Sequence, residues 1–248
     1  MVSLQDANRI FWEFATKYDT TNNNLLRKII HSYSVAEKCF SIASSLKLDK
    51  SQRDFCYIIG LFHDIGRFEQ WKKYGTFFDK ISENHGFLGA KILEGFLDKL
   101  GLTIREQEIM HDVIKYHNAY YEGTDEDVRF YHRIVKNGDM FANVIAAANG
   151  VHQIMIEKDG ATPGMLEDFC NLKPLYKYPQ ETKLDRALML SALVYYLDFD
   201  FLRKEALEKG YLDSIYSVFA TYLNKEDASA YKTAIAKVKK KLEKSVEK

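Results

Sequence analysis

Apolar residues recur at three- and four-residue intervals through most of this 248-residue chain, and no stretch alternates with period two between regular turns. The pattern predicts an all-helical (all-α) protein, with helices over 3–17, 25–46, 51–64, 83–99, 104–118, 126–148, 183–199, 201–208, 211–223 and 226–246. The three prolines, Pro163, Pro174 and Pro179, all fall between residues 160 and 180, so the strongest helix breaker is missing elsewhere. Residues 18–24 read as a polar turn. Residues 66–82 read as a long aromatic- and lysine-rich connection, of a length that is often functional. Residues 149–182 form an irregular stretch. They divide a core, 1–148, from a C-terminal helical extension, 149–248. The extension is expected to pack on the core, because Leu188, Leu190, Leu193, Tyr196 and Leu197 need burial.

The helix over 51–64 ends on an unusual pair. Ser51 reads as its N-cap with Asp54 three residues on, and Gly66 is placed to close it in the left-handed conformation. Cys56, Ile59 and His63 share its buried face, so His63-Asp64 falls in the last turn. An imidazole and a carboxylate are two donor types that hold a divalent cation. Taken alone, the pair is better explained as a satisfied core histidine beside a helix-terminal acid.

Helical phase sorts the remaining candidates. His31 lies at the edge of the apolar arc of its helix, beside Val35 and Ile42. Ser82 reads as an N-cap that puts His85 in the first turn of the next helix, with Gly89 removing bulk beside it. Ile109, Val113 and His117 line one buried face, whereas His111 falls with Gln107, Glu108 and Lys115 on the polar face. Asp139 shares a face with Val135, Ala142 and Ala146, where a carboxylate is costly unless it is paired or bound to a metal. Arg133 and His132 are its candidate partners, and His132 is also a candidate to support a ligand. Gly138 costs its helix about 1 kcal/mol relative to Ala, which points to close approach by a neighbour.

His31 precedes His63 by 32 residues, and His85, His117 and Asp139 follow Asp64 at intervals of 21, 32 and 22. With the local runs Leu61-Phe62-His63-Asp64-Ile65-Gly66-Arg67, Asn84-His85-Gly86-Phe87-Leu88-Gly89-Ala90 and Ile114-Lys115-Tyr116-His117-Asn118, the chain resembles the HD-domain metal-dependent phosphohydrolase superfamily over roughly residues 25 to 148. It is similar in particular to the two-metal branch, which inserts two histidines between the central pair and the last Asp. It departs from the pattern at Asn137-Gly138-Asp139, where the family more often has Asp or Ala before the last Asp.

The resemblance implies a helical bundle with a metal centre. A first ion would be held by His31, His63, Asp64 and Asp139, and a second by His85 and His117 with Asp64 bridging. Imidazole and carboxylate donors suit Mn, Fe, Zn, Ni or Co, with Mg possible as a harder, oxygen-seeking alternative. Such an ion makes hydroxide available near neutral pH, and two ions clamp both oxygens of an in-line displacement at phosphorus. Asp64 and Arg67 are the candidate catalytic residues, with Arg67 on the loop offering a two-point fork to a phosphate. Its alternative is a surface pair with Glu69 or Asp79. The implied activity is hydrolysis of a phosphate mono- or diester on a small substrate, a nucleotide first. The rivals are a non-catalytic metal- or nucleotide-binding signalling module and a mononuclear nucleotidase in which His85 and His117 hold phosphate.

Composition narrows the setting. Thirty-five basic and 35 acidic residues cancel, leaving no overall field to attract nucleic acid or anionic lipid. The basic end of the last helix, Lys237 to Lys241, reads as a solvated face. Cys39, Cys56 and Cys170 are too few for a disulfide framework and suit a reducing cytosol. No apolar run approaches ~18 residues, and no signal peptide is evident. A cytoplasmic protein without a membrane or nucleic-acid partner is expected. No dinucleotide fingerprint, phosphate-cradling Gly-rich loop or Ser/Cys nucleophile motif is found.

Overall fold

The computed structural model describes residues 1–119 and 121–246, and among these there are twelve α-helices and no strand. The chain is all-α, as its periodicity requires. It forms two compact units, Met1–Asp139 and Met140–Lys248. The division falls inside a helix, nine residues before the boundary read from composition.

In the first unit α1 (Leu4–Ala15) is capped by Ser3 and buries Phe11 and Phe14. These rings meet Phe62 and Phe68 edge-to-face at centroid distances of 5.5–6.1 Å, an arrangement favoured by ring quadrupoles. Next come α2 (Asn23–Ser45) and α3 (Lys50–Phe62), which pack along each other. Asp49, rather than Ser51, caps α3, through a full capping box with Gln52. The side chains from Phe55 to Phe62 are all buried, so α3 is the central helix of this unit.

The 66–82 connection corrects the sequence reading. It contains a helix, α4 (Gly66–Tyr74), and a short 3-10 turn at Asp79–Ile81. Gly66 is not a left-handed stop; it opens α4. Its missing side chain answers a packing need, because a Cβ there would overlap the His85 carbonyl oxygen and lie 2.6 Å from the Gly89 amide nitrogen. The polar and aromatic α4 escaped notice because only Gly66, Phe68 and Gln70 are buried. The cap of α5 (His85–Leu93) is Asn84, not Ser82, since its side chain accepts from the Gly86 and Phe87 amides. Beyond a 3-10 turn at Leu97–Leu100, α6 (Ile104–Tyr116) has a Thr103/Glu106 capping box. The long α7 (Glu126–Ala148) follows. Gly138 lies against α2, where a Cβ would come within 2.6 Å of Cys39 Sγ, so the neighbour that its sequence position implied is Cys39.

In the second unit the irregular stretch holds one short helix, α8 (Met165–Cys170), and is followed by α9 (Lys183–Tyr196), α10 (Asp200–Glu208), α11 (Tyr211–Phe219) and α12 (Lys225–Val246). Of the five residues expected to need burial, Leu188, Leu190 and Leu197 are buried, and Leu193 and Tyr196 are half-buried. The fully buried Asp185 accepts from the Thr162 amide at 2.8 Å and its hydroxyl at 2.7 Å, which ties the loop to the start of α9. No helix among the described residues is long and apolar enough to cross a membrane.

Candidate metal centre

Six side chains from five helices or their ends converge inside the first unit. His31 comes from the middle of α2. His63 and Asp64 come from the turn that ends α3, and His85 is the first residue of α5. His117 is the C-cap of α6, and Asp139 lies on α7. His63, Asp64, His85 and His117 are buried, while His31 and Asp139 stay partly open at 15% and 30% side-chain exposure and so mark the mouth.

The two oxygens of Asp64 face different partners. Oδ2 lies 3.6 Å from His63 Nε2 and 4.0 Å from His31 Nε2. Oδ1 lies 3.4 Å from His85 Nε2 and 3.5 Å from His117 Nε2. Asp139 Oδ1 completes the first group, 2.9 Å from His31 Nε2 and 3.9 Å from His63 Nε2. Two overlapping triads, His31–His63–Asp139 and His63–Asp64–His117, have donor atoms within 4.8 Å of one another and could each hold a metal ion.

Hydrogen bonds on the far side of three of the rings set their tautomers. His63 Nδ1 donates to the Gly60 carbonyl and His117 Nδ1 to the Ile114 carbonyl, both at 2.7 Å. His85 Nδ1 donates to Asp79 Oδ2, also at 2.7 Å. Each Nε2 is then a bare lone pair aimed inward, the form a metal needs. His63 Nε2 is buried with no hydrogen-bond partner. The His85 and His117 Nε2 atoms are 3.0 Å apart. Two lone pairs at that distance repel, so a shared proton or a cation has to sit between them. Both features fit a bound cation and are costly without one.

Electrostatics agree. Burial pushes the His63 imidazole down to about 3, against the pull of Asp64 and Asp139, so it stays neutral. Burial also lowers His85, opposed by the Asp79 bond. Desolvation alone would raise Asp64, but Lys28, His63, His117 and His85 together hold it well below the usual carboxylate range. Asp139 is likewise lowered, desolvation being outweighed chiefly by its bond to His31.

The structure thus brings together every residue that the sequence reading named as a ligand. Arg67 is placed differently. It sits in the first turn of α4, where Nη1 donates to Gln70 Oε1 at 2.8 Å, the Phe77 carbonyl at 2.6 Å and Asp79 Oδ1 at 2.9 Å. It pairs with Asp79, largely buried rather than at the surface, while its Nε lies 3.6 Å from Asp64 Oδ1. His111 bonds its neighbour Asp112, and Lys115 lies over the Phe87 and Tyr116 rings. His132 donates to the Tyr116 carbonyl at 2.9 Å and so supports the end of α6 beside His117.

Lys28 and Gln70 went unnoticed in the sequence, and Asp79 was named there only as a surface partner for Arg67. Lys28 Nζ lies 2.7 Å from Asp64 Oδ2. It could have been found, since it precedes His31 by three residues on the same helical face. Asp79 and the fully buried Gln70 lie in or against a connection that has no periodicity to read.

The family model for the HD domain matches residues 29–161, more than half of the chain and a span that includes all six ligand candidates. The chain belongs to the HD domain family. Members of that superfamily are mostly metal-dependent hydrolases, phosphohydrolases in general, and HD domains bind divalent metals. No curated protein and no solved structure is significantly similar to the chain.

Proposed function

We propose that this protein is a hydrolase of phosphate mono- or diesters that uses one or two divalent transition-metal ions and acts on a small phosphorylated substrate, a nucleotide being the first candidate. The observation that carries the reading is Asp64, whose two oxygens face His31 and His63 on one side and His85 and His117 on the other. A carboxylate so placed joins two half-sites.

His31, His63, Asp64 and Asp139 would hold one ion, and His85, His117 and Asp64 a second. When bound, an ion supplies a water acidic enough to lose its proton near neutral pH and positive charge for phosphoryl oxygens. The protein's own residues do the rest. The bonds from His63 and His117 to backbone carbonyls fix the ring orientation in advance. The Lys28 ammonium and the Arg67 guanidinium lie 5.4 and 5.8 Å from the Phe77 ring centroid and 2.7 and 3.6 Å from Asp64, where they offset carboxylate charge that would repel an anionic substrate. The buried free thiols Cys39 and Cys56 suit a reducing, cytoplasmic setting.

The test is a panel of phosphomonoesters, phosphodiesters and nucleotides, assayed with Mn, Co, Ni, Zn, Fe and Mg in turn. Hydrolysis that needs a transition metal and vanishes in Asp64→Ala is the expected result. Tight nucleotide binding without turnover under every metal would favour a signalling module instead.

A further inference from the structure

We propose that Asp79 is a positioning residue for the second half-site, fixing the tautomer and aim of His85 from the connection between α4 and α5. The proposal rests on the reading of His85 and His117 as metal donors.

The two oxygens of Asp79 have different work. Oδ1 accepts from Arg67 Nη1 at 2.9 Å and from Gln70 Nε2 at 2.8 Å. Oδ2 accepts from His85 Nδ1 at 2.7 Å and from Asn118 Nδ2 at 3.2 Å. The first pair of bonds already anchors the connection. Gln70 adds bonds to Ser82 Oγ at 2.9 Å and the Glu83 carbonyl at 2.8 Å. Apolar burial contributes little there, because Phe78 and Ile81 are 55% and 71% exposed. A purely structural aspartate would need only Oδ1. Oδ2 is spent on the candidate ligand.

His85 also differs from the other buried rings. His63 and His117 each donate to a neutral backbone carbonyl, whereas His85 donates to a carboxylate. A carboxylate partner holds the Nδ1–H tautomer more firmly and makes Nε2 a stronger donor to a cation. Arg67 and Gln70 in turn hold the carboxylate, so these two residues extend the same chain of contacts outward.

The test uses full-length protein stripped of metal and titrated with Mn²⁺ by calorimetry. Wild type should bind two ions. Asp79→Ala should lose about 10- to 100-fold in affinity for the second ion while the first step is unchanged. Asp79→Asn keeps an acceptor for His85 Nδ1–H and should recover part of that loss. Should the alanine variant fail to fold, the asparagine variant decides alone, by a second step weakened several-fold against wild type. In metal-free wild type, nitrogen-15 NMR should show His85 protonated at Nδ1, and Asp79→Ala should release that preference. Two ions bound equally well by wild type and both variants would overturn the role of Asp79 alone. A wild type that binds no second ion would overturn the underlying reading of His85 and His117 with it.

Discussion

Lys28 Nζ lies 2.7 Å from Asp64 Oδ2, the oxygen that also faces His31 and His63. An ammonium therefore stands where a divalent cation would compete for the same carboxylate. Lys28→Met should lower the stability of metal-free protein by about 1.5–3 kcal/mol, the usual value of a charged hydrogen bond. It should also tighten the first Mn²⁺ binding step. Calorimetric unfolding without metal and a Mn²⁺ titration measure the two effects, and a variant unchanged in both would show that Lys28 and the ion do not share Asp64.

The buried histidines set the acid stability of the metal-free protein. Unfolded, His63 takes a proton below about pH 6.5; folded, only below about 3. Between those values the unfolded chain binds more protons, so stability falls as pH falls, by up to about 1.4 kcal/mol per pH unit. Burial lowers His85 and His132 as well, which adds in the same direction. Asp64, held low when folded, adds a further loss once the pH drops below the ordinary carboxylate range. Urea midpoints of chelated protein from pH 7.5 to 4.5 should therefore decline. A flat profile would mean that these rings are not buried neutral.

Gly66 is required by packing. Gly66→Ala would drive a methyl into the backbone of α5 at His85 and Gly89, which cannot move aside cheaply. A loss of about 3 kcal/mol or more is expected, the upper end for overpacking. Gly75→Ala is the control: it meets nothing within 4 Å, and its φ of +64° costs about 1–2 kcal/mol. Equal midpoints for the two variants would contradict the close approach of α4 to α5.

His111 and His117 are six residues apart on one stretch of chain and should behave oppositely. His117→Ala should abolish hydrolysis and weaken metal binding, with the helical circular dichroism retained. His111→Ala should leave both within about twofold, because His111 bonds the neighbouring Asp112 on the polar face, away from the metal-donor clusters. The reverse outcome would place the wrong side of α6 against the site.

The helices were legible because most bury one stripe, and the ligand candidates because each sits on such a stripe or its edge. Ile109, Val113 and His117 show this directly: all three are buried. What stayed hidden lacks that periodicity. Asp79 acts from a connection, and α4 has too few buried residues to write a pattern. The role of Gly66 was misread because a glycine after a helix signals a left-handed stop, while contact between two backbones leaves no local trace. Arg67 was read as a loop residue; it lies in α4, and the acceptors that hold it, Phe77 and Asp79, are ten and twelve residues further on.

The central claim is a metal-bearing hydrolytic centre built on Asp64. Elemental analysis of protein purified without chelator, run beside hydrolysis of phosphate esters before and after chelation, tests it most directly. One to two transition-metal ions per chain are expected, with activity lost on chelation and restored by Mn²⁺, and with fewer ions and no activity in His63→Ala. Protein that carries no metal and is not activated by Mn, Co or Ni would contradict it.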